Sequence, residues 1–548
     1  VNSSVRVARA FVALAIFASA TSQVWADGRA LELTVKGGDT LIGLADRYLA
    51  KPSDWPKVQR LNKVPDPRRL VPGSTLRIPV DLLREESVQA EVVSVAGAAS
   101  KGDGAKLTAG ERLAPGTVIR TGQDGFVTVR APDGALIALQ PGSEARLTGI
   151  GRYVNTDIFS TVVRMISGRV EAAVDKLRGQ SRFEVQTDLA VAGVRGTRFR
   201  VAAAAGAKPS AQSEVLEGAV EFAGKAPGAR VAVAAGFGSV TDDAGNPRAP
   251  AALLPSPAFT ATDALQEKLV TRFRFAAITG AGNYRAQVAR DRDFRTGIAE
   301  GVFTTPEIKF ADLADGDYFL RARAIDTLGL EGQDAVFAFR LKARPEPPLA
   351  TAPAANGKLR AADAEFTWAA QPEANAYRIQ VAEDESFARI VHDEPVSGEA
   401  FTSKQIPFGE YFWRVRSIKG AGATADAGPW GDVRKFVLRP PPKTPEPPEE
   451  SASGLTFSWA AEPGQTFLFQ VARDAQFTNM VIERNLKDPR ITVPRLQPGT
   501  YFLRVRAVDA DGFVGPFTTP QRFSVINRVR DNGGANLVTG DGQPVLFQ

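Results

Sequence analysis

The second half of the chain repeats itself. YRAQVARDRDF begins at Tyr284, YRIQVAEDESF at Tyr377 and FLFQVARDAQF at Phe467. A second pattern follows each: GDYFLRARAID from Gly316, GEYFWRVRSIK from Gly409 and GTYFLRVRAVD from Gly499. The landmarks Gln287, Gln380 and Gln470 lie 93 and then 90 residues apart. A fixed period of this length means one folded unit per repeat, which places units at 258–343, 350–438 and 450–527. Within Tyr411-Phe412-Trp413-Arg414-Val415-Arg416 the apolar and basic residues alternate, as in a sheet with one buried and one wet face. Trp368 and Trp459 follow Phe366 and Phe457 on early strands, where a large ring fills the space between two sheets. The first unit has Phe273-Arg274-Phe275 there and lacks the tryptophan. Each unit therefore reads as a β-sandwich with its aromatics in the core and its arginines on a solvated face.

Units of this size and pattern resemble fibronectin type III domains. Proline-rich joins separate them, Arg344-Pro345-Glu346-Pro347-Pro348 and Arg439-Pro440-Pro441-Pro442-Lys443, and such segments act as stiff spacers. The C-terminal tail, 528–548, is assigned no fold.

Near the other end, residues 31–81 change period twice. Leu31, Leu33 and Val35 alternate as in a strand. After Gly37-Gly38 comes Asp39, a good helix N-cap, then Leu41, Leu44, Ala45 and Tyr48 at helical spacing. Ser53 or Asp54 caps a second helix with Trp55, Val58 and Leu61 on its inner face, ended by Asn62. Leu76 and Ile78 restore the strand period before Pro79. This strand–helix–helix–strand module closely resembles the LysM family in Val35, Gly38-Asp39-Thr40-Leu41, Ala45, Tyr48, Leu61-Asn62, Pro67, Leu70, Gly73, Leu76 and Ile78-Pro79. The resemblance implies binding of peptidoglycan or another N-acetylglucosamine-containing glycan in a shallow groove between two loops. Carried over, the groove comprises Gly38, Asp39, Thr40, Leu41 and Ile42 from one loop. Asn62, Lys63, Val64, Pro65 and Asp66 come from the other. Backbone groups would bond the N-acetyl groups, and Leu41 and Val64 would touch their methyls.

Between these parts, residues 88–225 show short alternating runs divided by glycine turns, as in an all-β roll, sandwich or solenoid. The order resembles the FecR-type domain of bacterial envelope proteins. Thr121-Gly122, Asp133-Gly134, Pro141, Ser167-Gly168, Val185–Thr187, Glu217-Gly218 and above all Ala192-Gly193-Val194-Arg195-Gly196-Thr197 with Phe199 carry the likeness. In one branch of that family the domain controls an extracytoplasmic sigma factor from behind a membrane helix. A cytoplasmic segment is not expected ahead of the apolar run, so only an envelope interaction role, with an unnamed envelope protein as partner, is carried over. Arg195 and Arg198 read as a ligand site or, more simply, as a charged strand edge that blocks unwanted pairing.

Arg6 and Arg9, the apolar run Ala10–Ala20, and small residues before Ala26 have the layout of a secretory signal peptide, 1–26. The run is short for a spanning helix, which favours cleavage after Ala26 over an uncleaved anchor. No later segment is long and apolar enough to span a membrane. The expected location is the periplasm or cell envelope. The chain has no cysteine and one histidine, His392, so disulfides, thiolate nucleophiles and histidine-rich metal sites are excluded. A net charge of +6 over 548 residues, without a basic stripe, gives no reason to expect nucleic acid. No cofactor or metal motif is present. The expected protein is a non-enzymatic, multidomain, mainly β scaffold or adaptor tethered to peptidoglycan. A periplasmic sensor or regulator is the first alternative. A cell-wall hydrolase with an unrecognised catalytic part is the second, since carboxylate pairs such as Asp46 and Asp54 exist.

Overall fold

The structure is a computed structural model. It describes residues 29–528 except 178, 195, 207, 208, 261, 452 and 453, together with 537–540 and 545–547. The leader expected over 1–26 and the predicted role of Arg195 lie outside the described residues. The chain forms two units, Val1–Leu341 and Lys342–Gln548.

In the first unit, β1 (Ala30–Thr34) pairs antiparallel with β2 (Thr75–Pro79), and α1 (Leu41–Tyr48) and α2 (Trp55–Asn62) lie between them in sequence. The core is Val35, Leu41, Leu44, Ala45, Tyr48, Val58, Leu76 and Ile78, the alternating and helical positions expected. Two local readings are corrected. Thr40, not Asp39, caps α1: its Oγ1 accepts from the Gly43 N–H at 3.1 Å. Asp39 instead accepts from the Lys36 N–H at 2.8 Å and closes the preceding turn. In α2 only Val58 is buried, and Leu61 is 48% exposed. Three residues turn a helix by about 300°, so Leu61 stands about 60° off the buried meridian that Val58 marks.

The next domain is a two-layer β structure that runs from Glu85 past residue 225 to Ala252, longer than the sequence patterning indicates. The 16-residue strand Phe159–Val174 belongs to both layers. Its first half pairs with Glu144–Tyr153 and, in parallel, with Arg182–Gln186. Its second half pairs with Leu136–Leu139 and Thr197–Ala204. Gly168 sits where the strand changes layers. Its φ of +87° and the Ser143 Cα, which a Cβ would meet at 2.5 Å, both demand glycine. The apolar core between the layers includes Val127, Ile137, Leu147, Val163, Val185, Phe199 and Phe222.

All three repeats are sandwiches of a large and a small sheet. Trp368, Trp413 and Trp459 are buried, as are Phe273, Phe366 and Phe457. The aromatics therefore build cores. The basic face differs from expectation, because rings layer its arginines. Arg414 lies 3.9 Å from the Phe387 ring centroid and 4.6 Å from that of Trp430, and Arg504 lies 4.0 Å from those of both Phe477 and Phe517. A guanidinium over an aromatic face is held by the ring quadrupole. Phe294, Phe387 and Phe477 take the same left-handed φ, between 55° and 60°. An aspartate three residues earlier holds each turn. Asp474 accepts from the Thr478 N–H at 3.0 Å and the Asn479 N–H at 2.6 Å. Hydrogen bonds to its charged form hold its carboxyl below the ordinary value. Asp474→Ala is expected to lower the thermal stability of the third repeat, and Asp474→Asn to lower it less, since Asn keeps one acceptor; melting of the full chain checks the order.

In the second unit, the join between the second and third repeats is more than a spacer. Arg360 reaches across to Glu462 at 2.8 Å and to Asp509 at 3.2 Å. In the tail, to which the sequence assigns no fold, Asn527–Arg528 pairs with Leu546–Phe547.

Candidate functional site

The two loops of the first module meet. The Leu41 N–H, at the start of α1, donates to the Pro67 carbonyl at 2.8 Å. Gly38 needs its φ of +89° to turn the chain into α1. Lys63 ends α2 in the left-handed region, φ 50°. The second loop is braced from behind: the Val64 N–H donates to the Gln59 carbonyl at 3.1 Å, and Gln59 Nε2 returns a bond to the Val64 carbonyl at 3.0 Å. Asp66 Oδ1 accepts from the Arg68 N–H at 2.9 Å.

The ten expected groove residues divide by exposure. Gly38, Ile42, Lys63, Pro65 and Asp66 are exposed, and Asp39, Thr40, Asn62 and Val64 are half-buried. Leu41, expected against an acetyl methyl, is 1% exposed and packs in the core, whereas its neighbour Ile42 is 40% exposed. Asn62 is occupied structurally. Its Nδ2 donates to the Val58 and Arg77 carbonyls and its Oδ1 accepts from the Arg77 N–H, all within 2.8 Å, so it ties α2 to β2. Exposed Leu61 and Val71 extend the apolar surface of the module. The missed signal was the three-residue spacing of Trp55, Val58 and Leu61, which cannot bury all three.

A second assembly of functional groups joins the all-β domain to the first repeat. Arg198, expected to be solvated, pairs with Glu171 at 3.0 Å and stands 3.8 Å from Asp334 of the repeat. Arg200 reaches Asp334 at 2.7 Å and the Gly332 carbonyl at 3.0 Å. Glu171 pairs with Arg321 at 2.9 Å. Glu331 meets Arg169 from one side and Arg285, at 2.7 Å, and Arg323 from its own repeat. The Glu331 N–H donates to Glu214 Oε1 at 3.2 Å. Glu331, Glu214, Arg200, Arg321 and Arg323 are each at most 5% exposed.

Burial opposes the charge on Glu171, but the guanidiniums of Arg321 and Arg200 outweigh it and hold the carboxyl at about 2. Glu331 and Asp334 are likewise lowered by arginines against the effect of burial. Glu214 goes the other way, to about 7, pushed by burial and by the neighbouring Glu331 carboxylate.

Among the described residues no group of three or more His, Cys, Asp or Glu is placed to hold a metal ion. His392 lies on the strand Ile390–Val396, paired with Val381, its ring 5.7 Å from that of Phe401. No helix among the described residues is long and apolar enough to cross a membrane.

Comparison with known families agrees with the modular reading. The LysM domain family matches residues 33–79, and the FecR protein family matches residues 117–221. These are binding or regulatory domains, and LysM domains bind N-acetylglucosamine glycans such as peptidoglycan. No curated protein matches the chain. Among solved structures, a candidate anti-sigma factor from Parabacteroides distasonis is similar at 20% identity and a TM-score of 0.21, over 25% of this chain and 59% of that one. The chain thus spans 59% of that protein's length. The FN1–FN3 domains of chicken CNTN1 are similar at 14% identity and a TM-score of 0.21, over 50% of this chain and 98% of that one.

Proposed function

We propose that this is an exported, peptidoglycan-binding scaffold of the cell envelope. The LysM module tethers it, the FecR-like domain engages an envelope protein, and the type III-like repeats space or present the assembly. The observation that carries the reading is the joining of the two LysM loops through the Leu41–Pro67 hydrogen bond, with Gly38, Ile42, Lys63, Pro65 and Asp66 exposed around it. Backbone groups on fixed loops, flanked by one apolar side chain, suit a neutral acetamido sugar better than a charged ligand. A single shallow site binds weakly, so attachment gains from several copies on one wall.

Retention of the chain by purified sacculi tests this reading against a variant lacking residues 27–84; equal retention of the two would sink the tether. Ile42→Asp is expected to weaken retention roughly fivefold, because a partly exposed isoleucine covered by ligand contributes about 1 kcal/mol.

The second reading is a periplasmic regulator acting through the FecR-like domain. The ionic junction with the first repeat favours it, since a charged contact responds to its surroundings more than an apolar one. Release of soluble muropeptides from sacculi by the chain would instead establish a hydrolase.

A further inference from the structure

The three repeats superpose in register at the place where the FecR-like domain meets the first of them. Arg321 faces Gln287, Arg414 faces Gln380 and Arg504 faces Gln470. Farther along the same strands, Ile325 bridges Glu331, Ile418 pairs with Ala427 and Val508 pairs with Val514. Glu331, Ala427 and Val514 are therefore equivalent. Three residues on, Asp334 stands where the other repeats have Trp430 and Phe517.

Those two rings cap the arginine ladders of their own repeats. Neither carboxylate is thus required to build a repeat of this kind. In the first repeat, aspartate replaces the ring and glutamate replaces a small apolar residue. Both carboxylates pair the repeat's own arginines and those of the FecR-like domain at once. Asp334 touches Arg323 at 3.1 Å on one side and Arg200 at 2.7 Å on the other. Residues of the turn before strand Gly297–Phe303 complete the contact: the Thr128 Oγ1 donates to the Arg295 carbonyl at 2.8 Å.

We propose that the first repeat is a releasable cover on an arginine face of the FecR-like domain, held by Glu331 and Asp334, and that this face is built to take an acidic segment of a partner protein. The face presents Arg169, Arg198 and Arg200 with Glu171 and Glu214 beside them, and its occupant presents two carboxylates three residues apart together with Arg321, which answers Glu171. A buried ionic contact is selective about its partner without being strong, because the desolvation of each charge nearly cancels the attraction. Once parted, each face regains water and counterions. An apolar interface of the same extent has no such compensation. The inference rests on the scaffold reading only in taking the FecR-like domain as an interaction domain, and it does not depend on glycan binding.

The chain has no native cysteine, so a spin-label pair at Arg230→Cys and Lys309→Cys, both on exposed side chains, reports the separation in the full protein. A single narrow distance is expected at low salt. A second, longer population is expected at 1 M salt, in Asp334→Asn, and in Arg198→Gln, which leaves the repeat itself untouched. An unchanged single distance in the salt series and in Arg198→Gln would overturn the cover; that criterion holds even if Asp334→Asn fails to fold. A peptide of residues 325–336 in excess is expected to produce the longer population in the unmutated chain, and the same peptide carrying Glu331→Gln and Asp334→Asn is not. Opening by salt without competition by the peptide would overturn the assignment to acidic segments. Loss of sacculus binding would leave every arm of this experiment unaffected.

Discussion

Glu331→Ala is expected to destabilise the first repeat and its junction by about 3–5 kcal/mol, the usual cost of removing one partner from a buried ionic cluster. The equivalent positions in the other repeats are Ala427 and Val514, so the backbone accepts a small residue there. The loss therefore comes from charge. Arg323 loses one of its two carboxylates, Arg285 keeps Glu300 but loses Glu331, and Arg169 loses its partner across the junction. Arg323 is 2% exposed and keeps only Asp334. Chemical denaturation of the full chain checks this, with the Glu331→Gln variant as comparator. Gln retains hydrogen-bonding capacity and is expected to recover about 1–2 kcal/mol of the loss. Equal stability of Glu331→Ala and the unmutated chain would show that the cluster contributes nothing net.

The junction is also expected to be strongest near pH 4.5 and to weaken both as pH falls toward 2 and as it rises from there to about 7. On the acid side, Glu171, Glu331 and Asp334 have carboxyls depressed by arginines. A depressed acid contributes stability that is present above its ordinary value and lost as pH falls through the depressed one. For Glu171, held at about 2, the part of that contribution that belongs to the junction is the part due to Arg321 of the repeat. On the other side, Glu214 is raised to about 7. The joined state favours its protonated form, so its contribution is complete below about 4.5 and disappears as pH rises through 7. It is faced by Glu331, Arg200 and Arg169, with Arg323 beside them. The labelled pair at 230 and 309 measures both limbs. Glu214→Gln is expected to abolish the limb near 7 and leave the acid limb in place. A pH-independent distance from 3 to 8 would contradict both signs.

How much of this was readable from residues follows from how local each determinant is. Periods of two and of 3.6 depend on neighbours along the chain, so the strands and helices of residues 31–81 and the alternating core of Tyr411, Trp413 and Val415 were legible. Asp39 was misread because Asp39 and Thr40 are both competent caps, and only the turn geometry assigns one to the helix and the other to the Lys36 N–H. Leu41 was assigned to both the helix core and the groove because its helical spacing fits either, and the structure shows it in the core. The arginine faces looked solvated because alternation shows which residues share a face, not what covers it.

The sequence by itself determined the modules, their order, their β character and the repeat that relates the last three. Each of these is fixed by short-range patterning and by chain propensities. Only the tertiary structure decided that Arg200 is buried and Arg198 half-buried against Asp334, that Gly168 marks the crossing between layers, and that the first repeat is docked on the all-β domain. The ionic contacts among these depend on residues more than 100 positions apart meeting in a low-dielectric contact. There the cost of stripping water from a charge makes the partner, not the residue type, decide what the side chain does.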